Sequence, residues 1–249
     1  MTGSGEAWLP LIFLIVALIY ASVGQAGASG YIAVMGLVGM EPTAMKTTAL
    51  LLNLLVATIG TVQFWRAGRL SWQATYPFAL LGFPFSLLGG AVHLPARVYL
   101  PLVGVILVIS AGVMMLSAVI RRSDAGKPAM APPFGLALLT GAIIGFISGT
   151  TGTGGGVFLA PVILAMGWGT PRQTATTTAV YNLMNSGAAL LGAYGAWHTM
   201  PAAIPVWLVA TGAGGMVGAL VGSRYLPDHA LRAILAVLLL ISGVKFLLG

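Results

Sequence analysis

The sequence contains a run of glycine and threonine whose residue types fit an anion site. Gly149 to Pro161 reads Gly-Thr-Thr-Gly-Thr-Gly-Gly-Gly-Val-Phe-Leu-Ala-Pro and interrupts a long apolar segment. A helix that restarts after such a break presents N–H groups and a partial positive charge, which bind anions without a buried cation. The glycines let backbone approach a ligand closely, and the threonines add hydroxyl donors. The run therefore predicts an anion site built largely from backbone.

A second, less regular run occurs at a corresponding place earlier in the chain. Residues 24–30 read Gly-Gln-Ala-Gly-Ala-Ser-Gly, and each of the two runs is followed by a proline typical of a helix start, Pro42 or Pro171. Asn53 and Asn182 each lie eleven residues beyond their proline. At ~1.5 Å per residue this is roughly 16 Å, about half the hydrocarbon thickness of a bilayer. Both amides are therefore predicted near the membrane midplane.

The candidate site residues come from these two runs and from the helices that follow them. The predicted substrate-binding residues are Gln25, Gly27, Ser29, Thr47, Thr48, Asn53, Thr151, Thr153, Gly154, Gly155, Gly156, Thr176, Thr177 and Asn182. Lys46 and Arg172 are predicted to attract the anion from opposite entrances. Two alternatives stay open: the glycines serve close helix packing, and the threonines and asparagines serve hydrogen bonds at helix ends and between helices.

Other kinds of chemistry have little support in the sequence. The acidic residues all lie at the ends of apolar segments, which leaves no evident buried proton relay: Glu6, Glu41, Asp124 and Asp228. The histidines are also terminal and there is no cysteine, so no metal site is predicted. No catalytic residue and no cofactor are predicted either.

One enzymatic alternative is kept as a remote one. Gly27-Ala28-Ser29-Gly30 resembles the Gly-x-Ser-Gly motif of rhomboid intramembrane proteases, which would make Ser29 a nucleophile. His93 is its only plausible base at membrane level, and no histidine lies well inside a helix. The sequence therefore favours transport over proteolysis.

The elements that position these residues are membrane-spanning helices. The chain is 58% hydrophobic and 6% charged, with a mean hydropathy of +1.00, and its apolar runs exceed the ~20 residues needed to cross a bilayer. Although the net charge is +7, the basic residues lie singly or in pairs at segment ends, which is typical of topology signals and not of nucleic-acid binding. The first segment lacks the pattern of a cleaved signal peptide and is predicted to be retained.

Eight hydrophobic segments are predicted, and they indicate an internal duplication. The segments lie near residues 7–40, 42–65, 71–94, 96–120, 133–168, 171–197, 201–223 and 229–248. At an offset of 129 residues Gly27 pairs with Gly156, Pro42 with Pro171, and Asn53 with Asn182. The prediction is an all-α polytopic membrane protein with a first repeat at 1–121, a polar linker at 122–132 and a second repeat at 133–249. Each repeat begins with a glycine-broken or re-entrant helix.

Basic residues favour inverted over parallel repeats. If both broken segments return to their starting side, eight of the eleven basic residues share one face, leaving Lys46, Arg97 and Lys245 on the other. Parallel repeats give six against five. The positive-inside rule therefore predicts inverted repeats, with both termini outside and the linker cytoplasmic.

These motifs resemble the TauE/SafE family of sulfite exporters, also called TSUP. The resemblance rests on Gly-Thr-Gly-Gly-Gly followed by Pro161, on the helix opening Pro-Arg-Gln-Thr-Ala-Thr-Thr-Thr, and on Asn182. It implies a secondary transporter in the bacterial inner membrane that exports small sulfur anions: sulfite, thiosulfate, or sulfonates such as sulfoacetate. An anion channel and an uptake permease for the same substrates remain alternatives, and a homodimer is one open oligomeric state. The first loop departs from the family pattern at Gln25, which leaves the choice of anion open.

Overall fold

The structure is a computed structural model that describes residues 8–22, 24–68, 70–120 and 130–222, with isolated positions between 237 and 247. These residues form helices, and no strand occurs among them. The helices are α1 Leu9–Ser22, α2 Ala28–Leu37, α3 Pro42–Arg66, α4 Trp72–Ala91, α5 Ala96–Ile120, α6 Phe134–Thr151, α7 Gly156–Ala165, α8 Pro171–Gly192 and α9 Ile204–Gly222, with a 3-10 helix at Tyr194–Thr199.

Both predicted helix breaks are confirmed. The first apolar segment divides into α1 and the ten-residue α2, and the fifth divides into α6 and the ten-residue α7. Among the helices described, three are long and apolar enough to cross a membrane, namely α3, α4 and α6, and α1, α2, α7 and parts of α5 and α9 are shorter apolar helices. At ~1.5 Å per residue, ten residues cover roughly 15 Å, so α2 and α7 each reach about half the core thickness.

The helices that carry Asn53 and Asn182 begin where the prolines predict. Pro42 and Pro171 each occupy the first turn, where a missing N–H and a fixed φ cost nothing. The Glu41 carboxylate accepts from Ala44 N, and Thr170 forms a capping box with Gln173. Local sequence alone therefore fixes the starts of α3 and α8.

Close helix packing at glycine joins elements that are distant in the sequence. α4 packs along α6, where a Cβ at Gly141 would meet Phe78 O and a Cβ at Gly145 would meet Gly82 O. α1 packs along α9 in the same way, with Gly214 against Leu14 O. Small residues allow such backbone contact in membranes, where lipid supplies no hydrophobic drive between helices. The packing alternative thus holds for these glycines, which lie outside the two loops.

Polarity is distributed as in a membrane protein, with apolar side chains outside and polar ones inside. Large apolar residues such as Leu80, Ile143 and Val209 are exposed, the last at 74%. α3 and α8 pack on each other in the interior and bury asparagine, serine and threonine. The chain thus places its apolar surface towards lipid and its hydrogen-bonding groups towards one another.

Parts of the predicted organisation lie outside the described residues. These are most of the linker at 122–132 and most of the last segment at 229–248. The division into repeats at 1–121 and 133–249 stays a prediction.

Candidate anion site

The first loop ends at a helix N-terminus that is capped from another helix. Gly27 precedes α2 with a left-handed φ of 96°, which glycine adopts without strain. Ala28 N, the first N–H of α2, donates to Asn53 Oδ1 on α3 over 2.9 Å. Asn53 is buried, so it replaces the water that an exposed helix end would bind.

The second loop repeats this arrangement. Gly155 precedes α7 with a φ of 88°, and Gly156 N donates to Asn182 Oδ1 on α8 over 2.7 Å. Gly27 therefore corresponds to Gly155, not to Gly156 as the constant offset predicts. The cause is the connection before the long helix, which spans five residues at 166–170 but only four at 38–41.

The nitrogen atoms of the two amides connect the first part of the chain to the second. Asn53 Nδ2 donates to Ser186 Oγ over 2.7 Å, and Asn182 Nδ2 lies 3.5 Å from Gln25 Oε1, a long contact. Each asparagine thus uses its oxygen for one helix N-terminus and its nitrogen for a residue more than 130 positions away.

Gly154 lies between the two amides. Its φ is +79°, and a Cβ there would overlap Asn53 Nδ2 and lie 3.2 Å from Asn182 Oδ1. Any side chain at this position would push the amides apart. The structure therefore brings Gln25, Asn53, Gly154 and Asn182 together.

Each loop also packs against the long helix of the other part of the chain. A Cβ at Gly24 would lie 2.7 Å from Ala175 Cβ on α8, and one at Gly152 would lie 3.1 Å from Lys46 Cα on α3. Both glycines have left-handed φ values, 77° and 81°. The freed backbone at the two breaks is thus enclosed by protein, the setting in which a bilayer tolerates it.

Several of the candidate threonines form hydrogen bonds inside their own segment. Thr47 Oγ1 donates to Thr43 O, and Thr151 Oγ1 donates to Ile147 O while contacting Thr153 Oγ1 at 2.9 Å. Thr48 Oγ1 is buried and has no hydrogen-bond partner. Thr176 and Thr177 are also buried.

Comparison with known proteins identifies the family. A family model described as "Sulfite exporter TauE/SafE" matches residues 9–246. The chain belongs to this family.

Two relatives agree with this assignment. The chain is 59% identical over 239 residues to "Probable membrane transporter protein y4hK" of Sinorhizobium fredii (strain NBRC 101917 / NGR234), covering 96% of this chain and 97% of the relative. It is 28% identical over 241 residues to "Probable membrane transporter protein ORF9" of Sinorhizobium sp, covering 93% and 89%. No solved structure gives a significant match. Family and helices together identify an integral membrane protein of the transporter class.

The protease alternative also lacks its geometry in this TauE/SafE protein. Ser29 is buried at the start of α2, where its Oγ is hydrogen-bonded to Tyr20 Oη at 3.0 Å. His93 is exposed in the connection after α4. Among the described residues there is also no group of three histidine, aspartate or glutamate side chains that could hold a metal ion.

Lys46 and Arg172 are the two basic residues predicted to attract the anion at the entrances, and the structure describes the side-chain contacts of Lys46 alone of the two. Lys46 is 5% exposed, and its Nζ donates to Gly89 O, Gly90 O and Val92 O at 3.2, 2.8 and 2.8 Å. The ammonium therefore satisfies the C-terminal carbonyls of α4, where a helix carries partial negative charge. The side chain of Arg172 lies outside the described residues.

Sequence reasoning did not select two buried polar residues next to the site, Asn185 and Ser186. They follow Asn182 by three and four positions and therefore share its face of α8. The spacing of three and four residues from Asn182 is the sequence feature that could have indicated them. Ser86 Oγ on α4 also reaches this face, donating to Asn185 O over 2.9 Å.

Proposed function

We propose that this protein is a secondary transporter that exports small sulfur-containing anions such as sulfite, thiosulfate or sulfonates across the bacterial inner membrane. The observation that carries the proposal is the pair of helix N-termini at α2 and α7, which begin at left-handed glycines and are capped by Asn53 and Asn182. Such half-helix ends near the midplane are the usual anion sites of transporters.

The anion is bound by hydrogen-bond donors and helix dipoles, without a permanent cation. The first turn of a helix contains N–H groups without a partner four residues back, and each asparagine satisfies one of them, Ala28 N or Gly156 N. In α7 Phe158 N donates to Gly155 O, so the ligand would take the other N–H groups of the two first turns, with Gln25 and the buried Thr48 hydroxyl. Sulfur oxyanions suit such a site because each oxygen accepts more than one hydrogen bond.

Alternating access follows from the proposed inverted repeats. The packing supports them because contacts occur in matched sets: α1 with α9 and α4 with α6, and Gly24 with α8 and Gly152 with α3. The central pair α3 and α8 would lie on the pseudo-twofold axis. Rocking one repeat against the other would expose the site first to the cytoplasm and then outside, where both termini lie.

The membrane potential supplies a sufficient driving force for export. It is worth ~2.3 kcal/mol per charge per 100 mV, which favours a monovalent anion outside by roughly fiftyfold. No buried carboxylate for proton coupling is evident in the sequence. Export in response to the potential is therefore the simplest coupling.

Flux measurements in proteoliposomes test this function. Purified protein is given sulfite, thiosulfate, sulfate, sulfoacetate and chloride under an imposed potential of either sign. The proposed export predicts that the potential drives accumulation of sulfite, thiosulfate or sulfoacetate in preference to sulfate and chloride. Flux that shows no saturation with anion concentration identifies a channel, and accumulation on the cytoplasmic side against a cytoplasm-negative potential identifies an uptake permease.

Asn182 variants link the function to the site. Asn182→Ala removes the cap of α7 and is expected to lower sulfur-anion flux at least tenfold, because a lost buried hydrogen bond costs about 1–3 kcal/mol. Asn182→Gln keeps an amide and is expected to retain more activity, while Ser123→Ala in the linker leaves flux unchanged. Equal and negligible effects of both Asn182 variants would remove this residue from the site.

A further inference from the structure

Asn185 is a buried carboxamide with neither of its polar atoms satisfied. It lies on α8 with 0% exposure, and neither Nδ2 nor Oδ1 has a hydrogen-bond partner. Its neighbours on the same face are paired, Asn182 with Gly156 N and Ser186 with Asn53 Nδ2. Leaving a buried donor and acceptor unpaired is costly, so a group outside the chain is expected to satisfy them.

The amide lies beside the N-terminus of α7. A Cβ at Gly155, the N-cap, would lie 3.3 Å from Asn185 Nδ2 and 3.1 Å from Ser148 Oγ. Ser148 Oγ donates to Gly145 O, which leaves its lone pairs free to accept. Asn185 and Ser148 thus converge on the helix end that the proposed function assigns to the anion.

The surrounding residues hold this amide in place. Ser86 Oγ donates to the backbone oxygen of Asn185 and holds α8 against α4. The Tyr181 hydroxyl, one turn earlier, donates to Gly141 O on α6 over 2.8 Å and makes a weaker contact with the Asn185 side chain. Neither polar atom of the carboxamide forms a hydrogen bond of full geometry, so both can bind a ligand.

The fold does not require a polar residue here. At the offset that pairs Asn53 with Asn182, the position equivalent to Asn185 is Val56, which is 2% exposed and packs in the apolar core. The same offset pairs Ser186 with Ala57. The Asn185 carboxamide thus occurs on α8 and has no counterpart at the equivalent position of α3, which makes the two sides of the site chemically different.

An amide with both atoms open selects a ligand that both accepts and donates. We propose that Asn185 is a specificity-determining ligand of the transported anion and that it selects a singly protonated sulfur oxyanion, whose oxygens accept from Nδ2 while its hydroxyl donates to Oδ1. This inference rests on the proposed function. A sulfonate has three acceptor oxygens and no hydroxyl, so it would leave Oδ1 unpaired, and a site with an unpaired buried group rejects such analogues strongly.

Two matched ligands and four variants test the inference. Uptake of sulfite into proteoliposomes at neutral pH, where hydrogen sulfite is present, is measured in competition with methanesulfinate, which carries a methyl group in place of the hydroxyl. The variants are Asn185→Leu, which keeps the shape of the side chain, Asn185→Val, which copies the first repeat, Asn185→Thr, which retains a donor and an acceptor, and Thr61→Val. Thr61 has an unpartnered buried hydroxyl eight residues beyond Asn53, roughly 12 Å further along α3, and serves as the control.

Wild-type protein and Thr61→Val are expected to prefer sulfite. Asn185→Leu and Asn185→Val are expected to lose about tenfold of that preference, the worth of one charge-assisted hydrogen bond, while Asn185→Thr retains part of it. An unchanged preference with only a changed Tm would mean that Asn185 holds a buried water, and an equal loss for both ligands would mean that it only positions the loop; either overturns the inference. Absence of transport of both ligands by the wild type would instead reject the proposed function.

Discussion

The oxygen atoms of two carboxamides determine where the short helices α2 and α7 begin. Asn53 and Asn182 accept the first N–H of each helix from a neighbouring long helix. An N-cap is usually the residue directly before the helix, but both positions hold glycine here, which has no side chain to cap with. The capping group therefore comes from a residue 25 or 26 positions away, and it fixes the loop against the long helix.

Substitution of Gly154 tests whether transport requires the second loop to contact the amides of Asn53 and Asn182. Gly154→Ala is expected to abolish transport and lower Tm, because Ala must adopt a left-handed φ and its Cβ would overlap Asn53 Nδ2. Gly39→Ala is the matched control, since Gly39 has a φ of +72° and no heavy atom within 4 Å of a built Cβ. That control carries only backbone strain of about 1–2 kcal/mol. Equal effects of the two changes on transport would show that contact at Gly154 is unimportant.

At the scale of elements, the end of α4 is joined to the start of α3 by one side chain. Lys46 donates to three carbonyls at or just beyond the C-terminus of α4, and the backbone of Lys46 packs against Gly152 in the second loop. The equivalent position on α8 is Ala175, which packs against Gly24. Among the side chains that the structure describes, a charged residue ties the second loop, but not the first, to a neighbouring helix end.

Lys46→Met separates a structural from an electrostatic role. Loss of the three hydrogen bonds is expected to cost about 2–3 kcal/mol and to lower the Tm of the purified protein, with the ionic-strength dependence of flux unchanged. Arg97→Met, at an exposed position, serves as the control for removing a positive charge. An unchanged Tm together with a lost salt dependence would restore the entrance role that the sequence suggested.

The α4–α6 contact gives a prediction about packing. Gly145→Ala places a methyl group against Gly82 O and is expected to destabilise the protein by about 2 kcal/mol, measured as a fall in Tm. Gly135→Ala on the same helix has open space at its Cβ and is expected to be neutral or to stabilise by up to about 1 kcal/mol. A gain in Tm from both changes would contradict the close packing of α4 on α6.

At the scale of the whole molecule, the arrangement was predictable where it depends on local pattern. Glycine runs located the two breaks, and Pro42 and Pro171 located the starts of α3 and α8. What could not be predicted were contacts between distant residues. The spacing of residues in the sequence predicts neither the Asn53–Ser186 hydrogen bond nor the hydrogen bond of the Lys46 ammonium to Gly90 O. Both depend on how distant helices pack against each other.

The predicted topology can be tested because the chain contains no cysteine. Single cysteines at Thr2, Ser123 and Gly249 are labelled on intact cells with a membrane-impermeant maleimide. Inverted repeats predict that both termini react and that Ser123→Cys reacts only after the membrane is opened, since each repeat crosses three times. Parallel repeats with four crossings each would put all three positions on one side, so a shared pattern of labelling refutes inversion.

The polarity of α8 has a consequence for how the protein is made. α8 is 22 residues long, yet its threonines, Asn182 and Asn185 keep it from being apolar enough to cross a membrane by composition. Such a segment gains little by entering lipid alone. Because α3 and α4 are synthesised earlier, they are already in place to receive its polar face. We expect α8 to leave the translocon against the first half of the chain, which then acts as an intramolecular chaperone for the second.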